Sequence, residues 1–424
     1  MIRNLLYSST NFRLLLAVIL CTQAAGCDFA TMARFSYDNA TAPHKWQDDS
    51  NTTTVPFTLV DNHIILPVTL NGGEPMKFVL DSGAGASVLI DSRSTRALDL
   101  EVSATITVSG VGKGPDPAAG VIRDITLGVG GLEMQEQSLI HLPLEAIPFF
   151  HEMDDVYFDG VIGAPFFSRF LVSVDYDRME VSFSEPGTAG LQHSGAGWQS
   201  LPLEIVFGVP YLKAEVANPD GTPLEVRLLA DTGARGTVSL TPATNTDIQA
   251  PDHYYQVVTQ GLSGDVVSRV GLAPSLSLAG NTLGSLPVSY DVEGGEEEAD
   301  SNGLIGNEVL RRFNLVFDYP GQRLYLQPNR NFSDPLEADR SGLLLRPHGG
   351  GVVVRRVAAD SAAVGSGLAE GDIITSFDGI AATPATISEL KRALARPVDY
   401  IHLCWMSASV SHCEDVPLAT RIQG

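Results

Sequence analysis

The pattern of apolar and polar positions predicts a chain built mainly of β-strands. Segments such as HIILPVTL at residues 63–70 are rich in aliphatic and β-branched residues, and turns such as Asn71-Gly72-Gly73 follow them closely. Short apolar runs separated by Gly- and Asn-rich turns are typical of hairpins in sandwich-like or barrel-like domains. Few helix-length patterns precede Arg169. The body of the chain is therefore predicted to be mostly β.

One pattern in this body occurs twice. Residues 78–89 read FVLDSGAGASVL, and residues 228–240 read LLADTGARGTVSL. In both, an apolar strand ends at an aspartate, small residues form a turn, and a second apolar strand follows. Asp, Ser and Gly are ordinary turn residues, so one copy alone would indicate only a turn.

Each copy is followed by a second matching signal. Residues 160–183 read GVIGAPFFSRFLVSVDYDRMEVSF, and residues 303–326 read GLIGNEVLRRFNLVFDYPGQRLYL. Each unit thus contains an aspartate turn, a long β-rich segment, an Ile-Gly element and two short strands around Asp-Tyr. This regularity indicates an internal duplication of about 150 residues.

These paired motifs resemble those of the aspartic peptidases, and their DSGA and DTGA sequences look most like the retropepsin-like branch. Carrying both halves in one chain is similar to the pepsin arrangement. The resemblance covers roughly residues 55–328 and implies two pseudo-symmetric acid-protease β lobes, at residues 55–185 and 197–328. It also implies that the Ile-Gly elements ending at Gly163 and Gly306 support the two turns from behind.

The resemblance assigns the catalytic roles to Asp81 and Asp231. Two carboxylates about 3 Å apart cannot both ionise easily, so such a pair shares one proton and titrates as a unit. The ionised member can then activate a water while the protonated member hydrogen-bonds the scissile carbonyl. The hydroxyls of Ser82 and Thr232 are expected to cross-link the turns. The supporting turn residues are Ser82, Gly83, Ala84, Thr232, Gly233 and Ala234.

Two further stretches are candidates for cleft elements. Strand-like runs at residues 105–109 and 120–127 flank a Gly- and Pro-rich tip, as an active-site flap of this family would require, although a plain surface hairpin has the same pattern. Residues 256–270 form a similar candidate hairpin in the second half. The aromatic loop at residues 142–158 is predicted either to line a substrate pocket or to pack as a lid.

The N-terminus has the pattern of an export signal. Basic residues precede a short apolar run, and small residues lead to Cys27. Residues 1–27 are therefore predicted to be a signal peptide. The AAGC sequence resembles a bacterial lipobox that would be lipidated at Cys27, with simple cleavage or an uncleaved anchor as alternatives. Residues 28–54 are predicted to be a polar tether. The expected location is the bacterial periplasm, as a membrane-anchored lipoprotein, or else outside the cell.

Composition and net charge limit the kinds of partner that the protein is expected to bind. The chain has 424 residues, 44% of them hydrophobic, which is enough for the cores of about three domains. A formal net charge of −23 argues against nucleic-acid binding, which needs a basic face. The expected partner is a polypeptide substrate, and contact with a membrane is expected only through the N-terminal anchor. No cofactor or metal is expected, and the protein is predicted to be a monomer with an intramolecular active site.

The C-terminal residues 341–424 differ in kind and resemble an α+β bacterial PDZ domain. The Gly-Leu and Gly-Asp pairs within residues 367–372 carry this resemblance, and Thr386 with Glu389 predicts a capping box that opens a helix. PDZ domains bind extended C-termini by strand addition. The resemblance makes Gly342, Leu343 and Leu344 candidate peptide-binding residues; a scaffold role is the alternative.

Cys404 and Cys413 flank a predicted hairpin in this region. A disulfide between them is the first expectation in an oxidising compartment. His402 and His412 lie beside them, so a metal site is the competing interpretation.

The sequence thus predicts an exported aspartic-type endopeptidase with a PDZ domain that recruits or regulates substrates. The alternative is a non-catalytic, peptide-binding envelope protein that keeps an acid-protease fold. Both aspartate turns are intact, which favours the enzyme.

Overall fold

The structure, a computed structural model, describes residues 25–144, 156–187, 195, 197–295 and 300–422. The predicted signal segment before residue 25, the side chain of Cys27 and most of the aromatic loop at 142–158 lie outside the described residues. In the described part of the chain, no helix is both long and apolar enough to cross a membrane.

Strands dominate the described residues. The first half contains β1 (His44–Trp46), β2 (Thr52–Pro56), β3 (Thr58–Val60), β4 (His63–Leu70), β5 (Met76–Leu80), β6 (Val88–Ile90), β7 (Ala104–Thr107), β8 (Ala118–Val129), β9 (Leu132–Leu142), β10 (Gly160–Ile162), β11 (Leu171–Asp175) and β12 (Glu180–Ser184). The second half contains β13 (Gln199–Pro202), β14 (Glu204–Val206), β15 (Val209–Ala217), β16 (Pro223–Asp231), β17 (Val238–Leu240), β18 (Tyr255–Gly261), β19 (Gly264–Ala273), β20 (Leu276–Leu278), β21 (Asn281–Leu283), β22 (Leu286–Glu293), β23 (Gly303–Gly306), β24 (Phe313–Asp318) and β25 (Arg323–Pro328).

The C-terminal region contains β26 (Leu343–His348), β27 (Gly351–Val357), β28 (Ile373–Phe377), β29 (Ile380–Ala381), β30 (Tyr400–Ser407) and β31 (Val410–Pro417). The helices are α1 (Ala25–Thr41), α2 (Arg93–Arg96), α3 (Ala164–Phe167), α4 (Asn307–Leu310) and α5 (Ile387–Ala395), with a 3₁₀ turn at Pro242–Thr244.

The two halves use the same strand connectivity beside their aspartates. The first sheet contains the order β9-β6-β10-β5-β4, and the second contains β22-β17-β23-β16-β15. In each, the strand before the aspartate turn runs parallel to the strand of the Ile-Gly element, which is antiparallel to the strand after the turn. We refer to residues 55–185 as lobe one and to residues 197–328 as lobe two.

A third sheet joins the lobes. Its order is β13-β25-β24-β11-β12-β2, and the antiparallel pairing of β11 with β24 places Val172 opposite Phe317. The ring of Phe167 from lobe one contacts the rings of Phe317 and Tyr319 from lobe two. One continuous apolar core therefore runs through both lobes and fixes them relative to each other.

The prediction of a polar tether at residues 28–54 is wrong. This range contains most of α1 as well as β1, which pairs with β9, and β2, which pairs with β12. Phe35 is buried, and the buried amide of Asn39 donates to the carbonyl of Ser138 and accepts from its N–H. Much of this anchoring is polar, so the apolar pattern of the sequence did not reveal it.

The C-terminal region has a separate sheet, β26-β27-β28-β30-β31, and its own core around the fully buried Trp405. Helix α5 is present and buries Ile387, Leu390 and Leu394, as its pattern predicts. The predicted capping box is not formed, because the Thr386 hydroxyl donates to the carbonyl of Ala381 instead. A disulfide joins Cys404 and Cys413, which lie opposite each other on β30 and β31.

Candidate active site

Both predicted aspartates stand at the end of a buried strand, where a tight turn begins. The Gly83 N–H donates to Asp81 Oδ1 at 2.8 Å, and the Gly233 N–H donates to Asp231 Oδ1 at 2.7 Å. The Ala234 N–H adds a second donor to Asp231 Oδ1 at 3.0 Å. Each carboxylate is therefore held by the backbone of its own turn.

Reciprocal hydrogen bonds cross-link the two turns. The Ser82 N–H donates to Thr232 Oγ1, and the Thr232 N–H donates to Ser82 Oγ, both at 3.0 Å. The Ser82 hydroxyl then donates to the Ala230 carbonyl at 2.6 Å, and the Thr232 hydroxyl donates to the Leu80 carbonyl at 2.8 Å. Both hydroxyl side chains are fully buried. This is the arrangement that the resemblance implied for Ser82 and Thr232.

The two carboxylates lie together at the floor of one cleft. A Cβ added at Gly83 would be 2.6 Å from Asp231 Cγ, and one added at Gly233 would be 2.4 Å from Asp81 Cγ. Each carboxylate thus rests on the glycine of the opposite turn. A larger residue at either position would occupy the space that the opposite aspartate needs.

The Ile-Gly elements support the turns from behind. The Asp81 N–H donates to the Ile162 carbonyl at 3.0 Å, and Asp231 lies opposite Gly306 in the parallel pairing of β16 with β23. A Cβ at Gly163 would approach the Ala84 carbonyl oxygen to 2.5 Å. Only glycine fits such close backbone packing.

The buried environment raises the pKa of both carboxyl groups. Burial and the adjacent charge of Asp231 raise the pKa of Asp81 well above its ordinary value. Burial also raises the pKa of Asp231, but the N–H groups of Gly233 and Ala234 and a hydrogen bond from Asp81 oppose that rise. The two carboxyl groups therefore hold one proton between them and titrate as a unit.

Two hairpins meet over the same cleft. The tip between β7 and β8 joins the tip between β18 and β19, where the Ser263 N–H donates to the Val111 carbonyl at 3.1 Å. Asp116 accepts from the hydroxyls of Ser109 at 2.8 Å and Ser263 at 2.7 Å. The candidate flap of the first half and the candidate hairpin of the second half thus contact each other through their tips.

The cleft beneath them has a volume of about 1460 Å³ and walls that are largely apolar. Both aspartates line it, together with residues that sequence reasoning missed. These are Met32 and Phe35 on α1 and Phe207 in the turn between β14 and β15. Phe207 is 87% exposed and has a positive φ of 49°, which is uncommon for a non-glycine residue. In the sequence, the only sign that Phe207 lines the cleft is that it is an aromatic residue next to a turn glycine.

The C-terminal candidates lie apart from the aspartates. The Gly342 N–H donates to Asp339 Oδ2 at 2.7 Å, and the Leu343 N–H donates to Ser341 Oγ at 3.0 Å. Leu344 lies opposite Arg356 in the pairing of β26 with β27. A peptide carboxylate would have to displace these groups of the chain itself, and peptide binding there stays a prediction.

The competing metal site beside β30 loses its ligands to the disulfide. His402, Cys404 and Cys413 place their ligand atoms within 4.8 Å of one another. Both sulfur atoms are already bonded to each other, whereas metal binding needs thiolates.

Comparisons with known proteins relate part of the first half of the chain to a protease family. A model of the aspartyl protease family matches residues 66–166, a range that contains Asp81 and ends before Asp231. No curated protein matches the chain significantly. Among solved structures, the chain is similar to an aspartic proteinase from Irpex lacteus, with 14% identity and a TM-score of 0.37 over 67% of this chain and 98% of that one. The family match and the mostly β architecture support a protease.

Proposed function

We propose that the chain is an aspartic-type endopeptidase in which Asp81 and Asp231 form the catalytic dyad. The observation that carries this proposal is the mutual placement of the carboxylates, each resting on the glycine of the opposite turn. The cleft around them, at about 1460 Å³, is large and apolar enough to take a segment of polypeptide. The substrate class is therefore a polypeptide in extended conformation.

The proposed chemistry uses one protonated and one ionised carboxyl group. We assign the proton to Asp81, whose pKa is raised both by burial and by the charge of Asp231. Ionised Asp231 takes a proton from a water between the carboxylates, and protonated Asp81 donates a hydrogen bond to the scissile carbonyl oxygen. Attack of the water oxygen on the carbonyl carbon gives a tetrahedral gem-diol, to which Asp81 has passed its proton. Asp231 then protonates the leaving nitrogen, the C–N bond breaks, and Asp81 regains a proton from the gem-diol. Both aspartates return to their starting states.

The proposal extends to the rest of the chain. We infer two acid-protease lobes, at residues 55–185 and 197–328, followed by a PDZ domain at residues 341–424 that recruits or regulates substrates. Export through residues 1–27, with lipidation of Cys27 in the periplasm, belongs to the same proposal. The disulfide in the C-terminal domain is compatible with an oxidising compartment. A single chain that supplies both aspartates needs no second copy.

The test is cleavage of unfolded protein by residues 28–424 between pH 3 and 8. Asp81→Asn and Asp231→Asn should each abolish cleavage while keeping the circular dichroism of the parent. The exposed Asp252 offers a matched control, and Asp252→Asn should cleave normally. An active Asp231→Asn protein would contradict the dyad. A folded but inactive parent would favour the non-catalytic binding protein instead.

A further inference from the structure

A second group of titratable side chains lies beside the Asp231 turn, where both lobes and the C-terminal domain meet. Lobe one supplies side chains from the start of β4, from the turn before it and from the loop that precedes β10. Lobe two supplies the arginine that follows Ala234, and the C-terminal domain supplies an arginine and a lysine. The members are Asp61, His63, Tyr157, Arg235, Arg346 and Lys391. The aspartate turn of lobe two is thus linked directly to this group.

Hydrogen bonds connect the group to the backbone of the turn. His63 Nε2 lies 2.8 Å from the Gly233 carbonyl oxygen, and His63 Nδ1 lies 2.6 Å from the Tyr157 hydroxyl. A carbonyl can only accept, so Nε2 carries the proton and Nδ1 accepts from Tyr157. Burial and the charge of Arg235 lower the pKa of His63 to about 3. The ring is therefore neutral at neutral pH and keeps this tautomer.

Ion pairs connect the same group to the C-terminal domain. Asp61 is 2% exposed and accepts from Arg235 Nη1 at 2.8 Å. Its other carboxylate oxygen pairs with Lys391 Nζ on α5. Burial alone would raise the pKa of Asp61, but the charges of Lys391, Arg235 and Arg346 outweigh it and hold the pKa below the ordinary value. One buried carboxylate thus bridges a cation of the aspartate loop and a cation of the C-terminal domain.

The neighbouring residue strengthens the link to lobe two. Asn62 Nδ2 donates to the Arg235 carbonyl at 2.9 Å and to Glu308 Oε2 at 2.6 Å. Asn307 Nδ2 in turn donates to the Asn62 carbonyl at 2.5 Å. Both side chains of the Asp61-Asn62 turn therefore bond Arg235 in the loop that carries Asp231, and the backbone of the turn bonds Asn307 on α4.

The C-terminal domain also contacts lobe two at a second place. The guanidinium of Arg421 lies 3.9 Å from the ring centroid of Tyr255, the first residue of β18. β18 leads to the hairpin tip that covers the cleft. Arg421 is itself fixed by ion pairs of 3.1 Å with Asp339 and Asp360. The domain therefore contacts the start of the strand that leads to the covering tip, in addition to the group beside the Asp231 turn.

We infer that the C-terminal domain positions the Asp231 turn, acting through Lys391, Asp61 and Arg235. Removing Lys391 takes away one of the two ion-pair partners of the buried Asp61 carboxylate, which then pairs with Arg235 alone, so the effect of losing Lys391 passes to Arg235. Catalytic groups need placement to within about 1 Å. Lys391 and Asp61 are thus positioning residues, and their kinetic role rests on the proposed peptidase function.

The first test measures the turn itself and needs no peptidase activity. Hydrogen–deuterium exchange of the full chain is compared for the parent and Lys391→Met. Exchange within residues 231–237 should accelerate by about tenfold, and exchange within residues 81–87 should accelerate much less, because only the Ser82–Thr232 bonds couple the two turns. Lys391→Arg should behave like the parent. Lys213→Met is the matched control, since Lys213 pairs with Glu225 on the exposed surface of lobe two.

Asp61→Asn gives a second variant and a double-mutant cycle. It should accelerate exchange in the same segment, and adding Lys391→Met to it should produce little further change. Unchanged exchange in the Asp231 turn of both variants would overturn the inference. Equal acceleration in both aspartate turns would also overturn it, because it would report general loosening of the protein.

The second test is kinetic. Lys391→Met should lower kcat about tenfold with KM unchanged within about twofold, because the lysine does not touch substrate. A parent that cleaves nothing would defeat the proposed function, and the exchange experiment would still decide the positioning role. A parent that cleaves, with Lys391→Met retaining full kcat, would overturn the positioning role alone.

Discussion

Replacing Gly233 with alanine should inactivate the protein without unfolding it. The added Cβ would lie 2.3 Å from Asp81 Oδ2 and 2.4 Å from its Cγ. Atoms in ordinary contact are about 3.5–4.0 Å apart, so one of the two groups has to move by more than about 1 Å. The turn of Gly233 is held by the Ser82–Thr232 bonds, so the Asp81 carboxylate is the group that moves.

The size of the effect follows from this displacement. Misplacing a catalytic group by about 1 Å can cost on the order of 10²-fold in rate, so kcat/KM should fall at least about 100-fold. Overpacking of this kind costs about 1–3 kcal/mol of folding free energy, which a core spanning both lobes can absorb. Gly233 does not have a positive φ, so backbone strain does not confuse the result.

The control lies three residues further along the same loop. A Cβ added at Gly236 would meet nothing within 4 Å, and its φ is also not positive. Gly236→Ala should therefore keep kcat/KM within about threefold of the parent. Both variants are assayed for cleavage of unfolded protein and for thermal unfolding. A Gly233→Ala protein with parental kcat/KM would refute the adjacent placement of the carboxylates.

Three further predictions follow from the same site. Thr232→Val removes the hydroxyl that accepts from the Ser82 N–H and donates to the Leu80 carbonyl, and it should lower the unfolding free energy by about 2–4 kcal/mol in urea titrations. Thr232→Ser keeps the hydroxyl and should lower the unfolding free energy by less than about 1 kcal/mol. Equal losses in the two variants would contradict this prediction. Asp81 has a raised folded-state pKa, so its contribution to stability is complete below its unfolded-state pKa and is lost as pH rises through the folded-state value. Asp81→Asn should accordingly gain thermal stability over the parent as pH rises from 4 to 8, and a pH-independent difference would oppose the shift. Asp116→Ala removes the acceptor of the Ser109 and Ser263 hydroxyls and should speed exchange at residues 109–116. Unchanged exchange would show that the backbone bonds between the tips, such as that from the Ser263 N–H to the Val111 carbonyl, are sufficient to hold them.

The aspartate turns could be predicted because the residues that form each turn are adjacent in the sequence. A strand that must end on a carboxylate, followed by residues small enough for a second carboxylate to rest on, leaves a short and distinctive sequence. Because the motif occurs twice, each copy supported the interpretation of the other. The disulfide was predictable for a similar reason, because Cys404 and Cys413 are close in sequence and fall opposite each other across one hairpin.

Elements held by distant polar contacts could not be predicted in this way. Helix α1 is fixed partly by Arg169, which donates to the carbonyls of Asn39 and Ala42 far away in sequence. The spacing of apolar residues carries no information about such hydrogen bonds, so residues 28–54 were predicted to be a tether. The group around Asp61 was missed because its members are scattered from lobe one to the C-terminal domain. Its one local signal was Arg235, a charged residue at the position where the first copy has Gly85.

The two aspartate loops differ at Arg235 and Gly85, and the hairpin turns that pack against these two residues differ as well. Each lobe sends a hairpin turn against the aspartate loop of the other lobe: Asp61 meets Arg235, and the Phe207 carbonyl lies 3.1 Å from a Cβ placed at Gly85. The backbones correspond, but Asp61 is 2% exposed beneath the C-terminal domain, whereas Phe207 is 87% exposed in the cleft. A symmetric dimer of one lobe would have to bury both turns or neither, because its two copies share one sequence. Joining the lobes in a single chain lets one turn dock a domain while its counterpart stays open to the cleft.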